Sequence, residues 1–372
     1  MRRRGTFAVL LTAAVAAVTA SGCSSSAGTS GAQSKTGDYS VAYGELSTQG
    51  GTFVPVNQGV QKAAGVLKFQ LKSYDNNFDV NTTQQNAQLI MTSSPGVIIE
   101  ESPSQSIGAS LSRTFGKTPC IAMVTTIPGC STFQLPSQAL SQSLAGVIAK
   151  SMASRGWNAS NTTVILLQNA SAGPAVNYFP HQFYGDLARL VPGLSAPPSG
   201  GITPQTTKIG ANGLQVDSQG TLSGGYQAVA SALQAIPASR HLVAVGVEDD
   251  PVLGAMRAIA GSGRGSNAML AGYGGSGDGL SQLRTNPAWV AEADIAPEAW
   301  GEYLLAMVTS MERGAKLPAV TYAPGWIVTK DTVSKYFAAG SDTASVLPPL
   351  TPQDQYLAKA GVLQHFSNSP VK

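Results

Sequence analysis

Charge is scarce in this chain. Of its 372 residues, 23 are Lys or Arg and 20 are Asp or Glu, which is 12% in all, and the formal net charge is +3. Beyond residues 2–4 there is no basic cluster and no basic helix, which argues against nucleic acid as a partner. The three histidines, His181, His241 and His365, stand isolated and share no metal-ligand spacing with cysteine or carboxylate, so no metal site is expected. There is no G-x-S-x-G elbow and no phosphate loop. The Gly-rich stretches GSGRGSN and GGSGDG follow a helical and a strand pattern respectively and read as turns. No catalytic set emerges, no cofactor is implied, and an enzyme is not expected. Long hydrophobic runs are missing too: the apolar run at 7–18 is too short to span a bilayer.

Glycine and proline, by contrast, are plentiful at 41 and 22, as suits short elements joined by tight turns. The length suffices for two domains with sizeable cores. Arg2, Arg3 and Arg4 followed by the apolar run form a targeting segment. Ala20-Ser21-Gly22-Cys23 then resembles a bacterial lipobox, departing from it at Ala20, where Leu is commonest. The expected order is a signal peptide at 1–22, lipidation of Cys23 and a Ser/Gly-rich flexible tether over 23–37. Two acyl chains on one cysteine meet the requirement for stable anchoring. Cys120 and Cys130 remain as an even pair, and export permits a disulfide between them. Two buried free thiols are the alternative; the bridge is favoured and would brace a loop near the cleft.

The stretch that organises the chain is 241–279. An apolar, β-branched run at 242–247 reads as a buried parallel strand. Glu248, Asp249, Asp250 and Pro251 make a helix start, with Leu253, Met256, Arg257 and Ile259 at helical spacing. Residues 268–273 read as the next strand. In an open parallel sheet, ligands sit beyond the carboxyl ends of strands, which is where Glu248, Asp249 and Tyr273 fall.

The segment VGVEDDPVLGAMRAI followed by LAGYGG resembles the periplasmic sugar-binding proteins of ribose and galactose type, which feed ATP-binding-cassette importers. In them a strand runs into an "ND" turn, then "xxLGAxRAL", a Gly-rich turn and "VGFDG". Other segments are similar in order. VNQGVQKAAG resembles the family's first helix, PGVIIE its third strand, TPCIAM its fourth, and GGYQAVASALQAI the helix before the "ND" strand. The likeness covers about residues 38–335. Repeating βα units give an α/β class directly. The resemblance implies more: a two-lobed periplasmic-binding-protein-like type I fold, each lobe a parallel sheet with helices on both faces. Three crossovers fall near 136, 295 and 325. The N-lobe would then take 38–135 plus 296–325 and the C-lobe 136–295 plus 326–340. Residues 341–372 form a tail with a helix at 352–362, and 191–213 is a loop excursion. Helices are expected at 56–65, 80–92, 104–115, 135–155, 173–190, 224–236 and 299–313.

The resemblance also implies a ligand site. Phe53, after Thr52, stands where the family places an aromatic against the sugar ring. Glu100 and Glu101 would point to opposite faces of strand three, so that Glu101 is a cleft candidate. Val124 and Thr125 replace the family's Asp-Arg clamp, and the family's next Arg falls near Asn177 and Tyr178. Its "ND" Asn becomes Glu248, and its "FDG" Asp becomes Gly274. Asp249 reads equally as a helix cap or a ligand contact. The expected ligand set is Thr52, Phe53, Glu101, Thr125, Asn177, Tyr178, Glu248, Asp249 and Tyr273. A hydroxyl left unpaired on burial costs about 1–3 kcal/mol, so loss of the charged clamp predicts weak binding of ribose, galactose and glucose. The resemblance implies a sugar-like ligand, which stays the default class; the residues point to a less hydroxylated one, with an aromatic or apolar part and a donor for Glu248. The expected function is a lipid-anchored, extracytoplasmic solute-binding protein that delivers a small ligand to the membrane permease of an importer. The alternative is a receptor that presents the ligand to a membrane sensor kinase.

Overall fold

A computed structural model describes residues 40–49 and 51–371. The targeting segment, Cys23 and the tether lie outside them. The first lobe opens with β1 (Ser40–Glu45), α1 (Phe53–Leu67), β2 (Gln70–Asp75), α2 (Val80–Thr92) and β3 (Val97–Glu101). It continues with α3 (Gly108–Phe115), β4 (Cys120–Met123) and β5 (Ser131–Gln134). The second lobe begins with α4 (Ser137–Ser154), β6 (Thr162–Gln168), α5 (Gly173–Leu190), β7 (Lys208–Ile209) and β8 (Gly213–Asp217). Then come α6 (Leu222–Leu233), β9 (His241–Gly246), α7 (Asp249–Gly261), β10 (Ala268–Gly274), α8 (Gly277–Thr285) and β11 (Trp289–Asp294). Last are α9 (Trp300–Glu312), β12 (Val320–Tyr322), β13 (Trp326–Thr329), α10 (Val333–Tyr336) and α11 (Tyr356–Lys359).

The strands form two sheets. The first has the order β12-β5-β4-β3-β1-β2, and every pair in it is parallel. The second has the order β13-β11-β10-β9-β6-β8-β7. It is parallel through its middle, but both edge strands, β13 and β7, run antiparallel to their neighbours. The expectation is a purely parallel second sheet; β7 departs from it because only residues 210–212 join it to β8, a length that an antiparallel pairing tolerates and a parallel one does not, and β13 returns from β12 of the other sheet to run antiparallel beside β11. The chain passes between the sheets after β5, after β11 and between β12 and β13.

Burial follows the strand positions. Central strands β3, β6 and β10 are buried along their whole length, whereas edge strand β2 alternates exposed and covered residues, as a sheet covered on both faces requires of its middle and not of its rim. In the first lobe Val41, Tyr43, Val97, Ile99, Ile121 and Met123 face one side, and Ala42, Ile98 and Ala122 face the other. Helices α6 and α7 pack closely. A side chain on Gly254 would collide with the Leu222 carbonyl and lie 2.6 Å from the Tyr226 nitrogen, and one on Gly225 would collide with the Pro251 carbonyl.

Several element boundaries differ from the sequence expectation. Helix α1 starts at Phe53, three residues early. The expected third helix splits into a 3-10 turn at Gln105–Ile107 and α3. The 191–213 excursion contains β7. The expected tail helix is a 3-10 turn at Pro352–Asp354, the four-residue α11 and a second 3-10 turn at Leu363–His365. The tail is docked: Leu357 and Leu363 are buried, Arg313 donates to the Ala360 carbonyl at 3.0 Å, and Thr321 meets the Tyr356 hydroxyl at 2.6 Å. Arg284 of α8 donates to the Ser341 carbonyl, so the tail touches both lobes.

Cys120 and Cys130 are joined in a disulfide. They precede the first register pair of β4 and β5, Ile121 with Ser131, and so tie the starts of two parallel strands joined by a short return. Closing a loop of ten residues stabilises by about 2–3 kcal/mol. Replacing both cysteines by Ser is expected to lower the unfolding free energy by that amount, seen as a lower urea midpoint. A midpoint equal to that of the parent protein would contradict it.

Candidate functional site

The loops after β1 and β10 meet across the two lobes. A side chain on Gly274 would stand 3.3 Å from Thr52 Oγ1, and one on Gly51 would be 3.8 Å from Ser276 Cβ and 3.9 Å from an Asp250 oxygen. The carboxyl ends of the two sheets therefore face one cleft, and acids close five of their strands: Glu45, Asp75, Glu101, Asp217 and Asp294.

Glu100 and Glu101 close β3. Glu100 pairs in register with Gly44 and Ala122, on the face of the second cluster. It accepts from Asn76 Nδ2 at 2.8 Å. Glu101 lies on the face of Tyr43 and Met123, receives the Leu46 N–H, and feels the charge of Glu45. Burial lifts both carboxyls to about 8. Across the cleft, Glu248 is also lifted to about 8, first by burial, then by Asp250, Asp249 and Glu101. The Glu101 charge, from the opposite lobe, is the smallest of these contributions.

A second acid group lies deeper in the second lobe. Asp249 and Glu292 form a hydrogen-bonded acid pair that holds a proton, because burial and the neighbouring charge raise Glu292 well above the usual carboxyl range. Trp289 Nε1 donates to Glu292 at 3.0 Å, and the Ser276 N–H donates to Asp249 at 2.8 Å. Gly272 makes room for the pair, since any side chain there would overlap both carboxyls. Asp294 ends β11, accepts from the Ala296 N–H at 2.6 Å, and is raised by burial. Among the described residues the one ion pair is Arg189–Asp186, in α5 and away from these acids.

The aromatic parts are equally specific. Tyr273 of β10 stacks on Phe179 of α5 with ring centroids 3.9 Å apart, and its hydroxyl meets Ser137 Oγ at 3.0 Å. The Glu248 charge acts on that hydroxyl. Phe53 meets Phe78 edge-to-face at 5.0 Å, and Phe78 is 53% exposed. Val124, at the end of β4, holds φ at +61°, a strained backbone for a β-branched residue.

The structure brings some of the sequence candidates together. Thr52 faces Gly274, Glu101 and Glu248 stand at the carboxyl ends of the facing sheets, and the Glu248 charge reaches the Tyr273 hydroxyl. Others are engaged elsewhere. Asn177 is fully buried; its amide donates to the Asn169 and Gly173 carbonyls at 2.7 and 2.8 Å and accepts from the Asn169 N–H at 2.9 Å. It clamps its own loop. Asp249 is the first residue of α7, and Glu248 occupies the cap position without a side-chain cap bond, so the helix-cap role read for Asp249 gives way to the acid pair. Thr125 is buried beside Ser102, with Oγ1 at 3.5 Å from its carbonyl. Tyr178 lines a cavity of about 660 Å³ at the interlobe crossings, together with Pro136, Tyr322, Gly325 and the tail residue Leu350. A second cavity, about 520 Å³, lies between Gly51, Asp250, Ser276 and Asp342.

Sequence reasoning passed over Glu45, Phe78, Glu292 and Asp294. The signal for Glu45 and Asp294 was available: each is an acid closing an apolar strand. Among the described residues no group of His, Cys, Asp and Glu is arranged to hold a metal ion. The arrangement can bind hydrogen-bond donors, and it offers an apolar ring surface beside them.

No protein-family model matches the chain, and no curated protein matches it. Solved structures do. An ABC transporter solute-binding protein from Mycobacterium smegmatis with bound glycerol has a TM-score of 0.67 at 16% identity, covering 83% of this chain and 99% of that one. A Mycobacterium smegmatis protein in complex with β-D-fucofuranose has a TM-score of 0.66 at 16% identity, covering 87% and 97%. A solute-binding protein from Bacillus halodurans C-125 with bound myo-inositol has a TM-score of 0.66 at 14% identity, covering 83% and 100%. The fold is the two-lobed, type I periplasmic-binding-protein architecture.

Proposed function

We propose that this protein is an extracytoplasmic, lipid-anchored solute-binding protein that closes its two lobes around one small ligand and hands it to the permease of an ABC importer. The observation that carries the reading is the convergence of the carboxyl ends of both sheets on one cleft, in a fold shared with solute-binding proteins. In open α/β sheets that is where ligands bind, and two lobes joined by three short crossings suit hinge closure. The lobes are assigned as 38–135 plus 296–325 and 136–295 plus 326–340. The protein performs no chemistry. Thr52, Phe53, Glu101, Glu248 and Tyr273 form the ligand surface. The test is uptake: cells lacking the protein are expected to lose concentrative uptake of the ligand it binds, and uptake at parental rates would contradict the assignment.

The anchor has its own test. Cys23 follows an apolar run and a lipobox-like Ala-Ser-Gly. Cys23→Ser is expected to release the protein from the membrane fraction or to leave an uncleaved precursor. Full acylation and membrane retention in that variant would refute lipidation at Cys23.

A further inference from the structure

We infer that the ligand is a small organic cation, a protonated amine on a compact and partly apolar carrier, held between Glu101 and Glu248. The inference rests on the binding-protein reading and names the chemistry of that same cleft.

Three observations meet here. First, Glu101 closes β3 and Glu248 follows β9, at the carboxyl ends of two sheets that face one cleft. A cation between them stabilises both carboxyls in the ionised form, which they otherwise leave by holding protons. Second, Glu101 is only 3% exposed, and its Oε2 has no hydrogen-bond partner. Asp294, 1% exposed, likewise leaves Oδ2 without one. A buried acceptor in that state is costly unless something donates to it. Third, every side-chain charge acting on Glu45, Glu101 and Glu248 is another carboxyl. A sugar hydroxyl would meet acceptors and no basic donor here, whereas an ammonium supplies up to three donors and a compensating charge. Phe53, half-buried at the start of α1, adds ring surface, which attracts cations and covers apolar groups. A bare metal ion is the poorer occupant, since no described cluster has a metal-holding arrangement.

The experiment pairs each amine with its neutral twin. The full-length exported protein is titrated calorimetrically at pH 7.5 with D-glucosamine against D-glucose and N-acetyl-D-glucosamine, with D-galactosamine against D-galactose, and with benzylamine against benzyl alcohol. At least one amine is expected to bind about 30-fold or more tightly than its twin, the scale set by pairing a buried charge. Its binding should release protons in buffers of different ionisation heat. Glu248→Gln and Glu101→Gln should each remove the preference while keeping a cooperative unfolding transition. Should Gln at either site prevent folding, the proton release and the amine–neutral ratio of the parent protein decide alone. Equal or tighter binding of the neutral twins overturns the cation inference and leaves the binding-protein reading standing. Stabilisation by calcium or magnesium without any amine effect also overturns it. Absence of binding by every compound overturns the cation inference, while the binding-protein reading is decided by the uptake test.

Discussion

Ligand-free protein is expected to melt at a clearly lower temperature at pH 8 than at pH 5.5. Glu100, Glu101 and Glu248 are each raised by burial to about 8, and Glu302 to about 7. Burial raises Glu292 and Asp294 further. A carboxyl whose folded pKa lies above its unfolded one keeps its proton in the native state after the unfolded chain has lost it. Its contribution to stability is complete below about 4.5 and disappears as pH rises through the folded value. The window is therefore roughly pH 4.5 to 8. His181 opposes this: burial lowers it, so that below about 6.5 the unfolded chain binds the extra proton. It is one group against several. Each retained proton is worth about 1.4 kcal/mol per pH unit, and two of them across two units give about 5 kcal/mol, or roughly 10–20 °C in Tm. A scan of Tm from pH 5 to 8.5 checks this; a flat or rising profile would contradict the protonated, unpaired cleft. A bound cation should flatten the same profile, because it stabilises the ionised carboxyls.

Gly254→Val is expected to abolish stable folding of the second lobe. A side chain at that site meets the backbone of α6 and not the end of a flexible side chain, so the two helices must move apart. Overpacking of a tight core costs about 1–3 kcal/mol where side chains can yield, and more where they cannot; a loss on the order of 4 kcal/mol or more is expected here. Since α7 carries Glu248 and Asp249 at its start, the site would be displaced along with it. Circular dichroism and urea titration give the answer. A variant within 1 kcal/mol of the parent, roughly the scale of an ordinary substitution, would show that the helices do not cross as described.

Much of the fold was legible because βα repeats write themselves in hydrophobic period. Strand 241–246 with helix 249–261 and strand 268–274 follow directly from the alternation of an apolar run, an acidic turn and helical spacing. What was hidden has local reasons. Strand β5 is the four residues Ser-Thr-Phe-Gln, with too little apolar content to show a period. The change of sheet near 325 came from the resemblance and not from the hydrophobic pattern, because only Ala323, Pro324 and Gly325 separate β12 from β13. In the cleft, alignment by position placed Asn177 beside the ligand, yet its amide holds the preceding loop. Position in a chain does not tell where a side chain spends its hydrogen bonds. Glu292 was passed over because it lies inside an apolar strand, WVAEAD, where a charge reads as an edge residue. Only the three-dimensional meeting of β10, α7 and β11 reveals its partner.

The most direct test of the central claim, one ligand held between the lobes at Phe53 and Glu248, is calorimetric titration of the best ligand from a screen spanning sugars, polyols, amines and aromatic acids. It is run with the parent protein, Phe53→Ala and Glu248→Ala. The account predicts one site per chain and an affinity loss of about tenfold or more in each variant, since each removes a contact worth about 1.4 kcal/mol or more. Tight binding of a common hexose that neither substitution changes would contradict both the ligand chemistry and the location of the site.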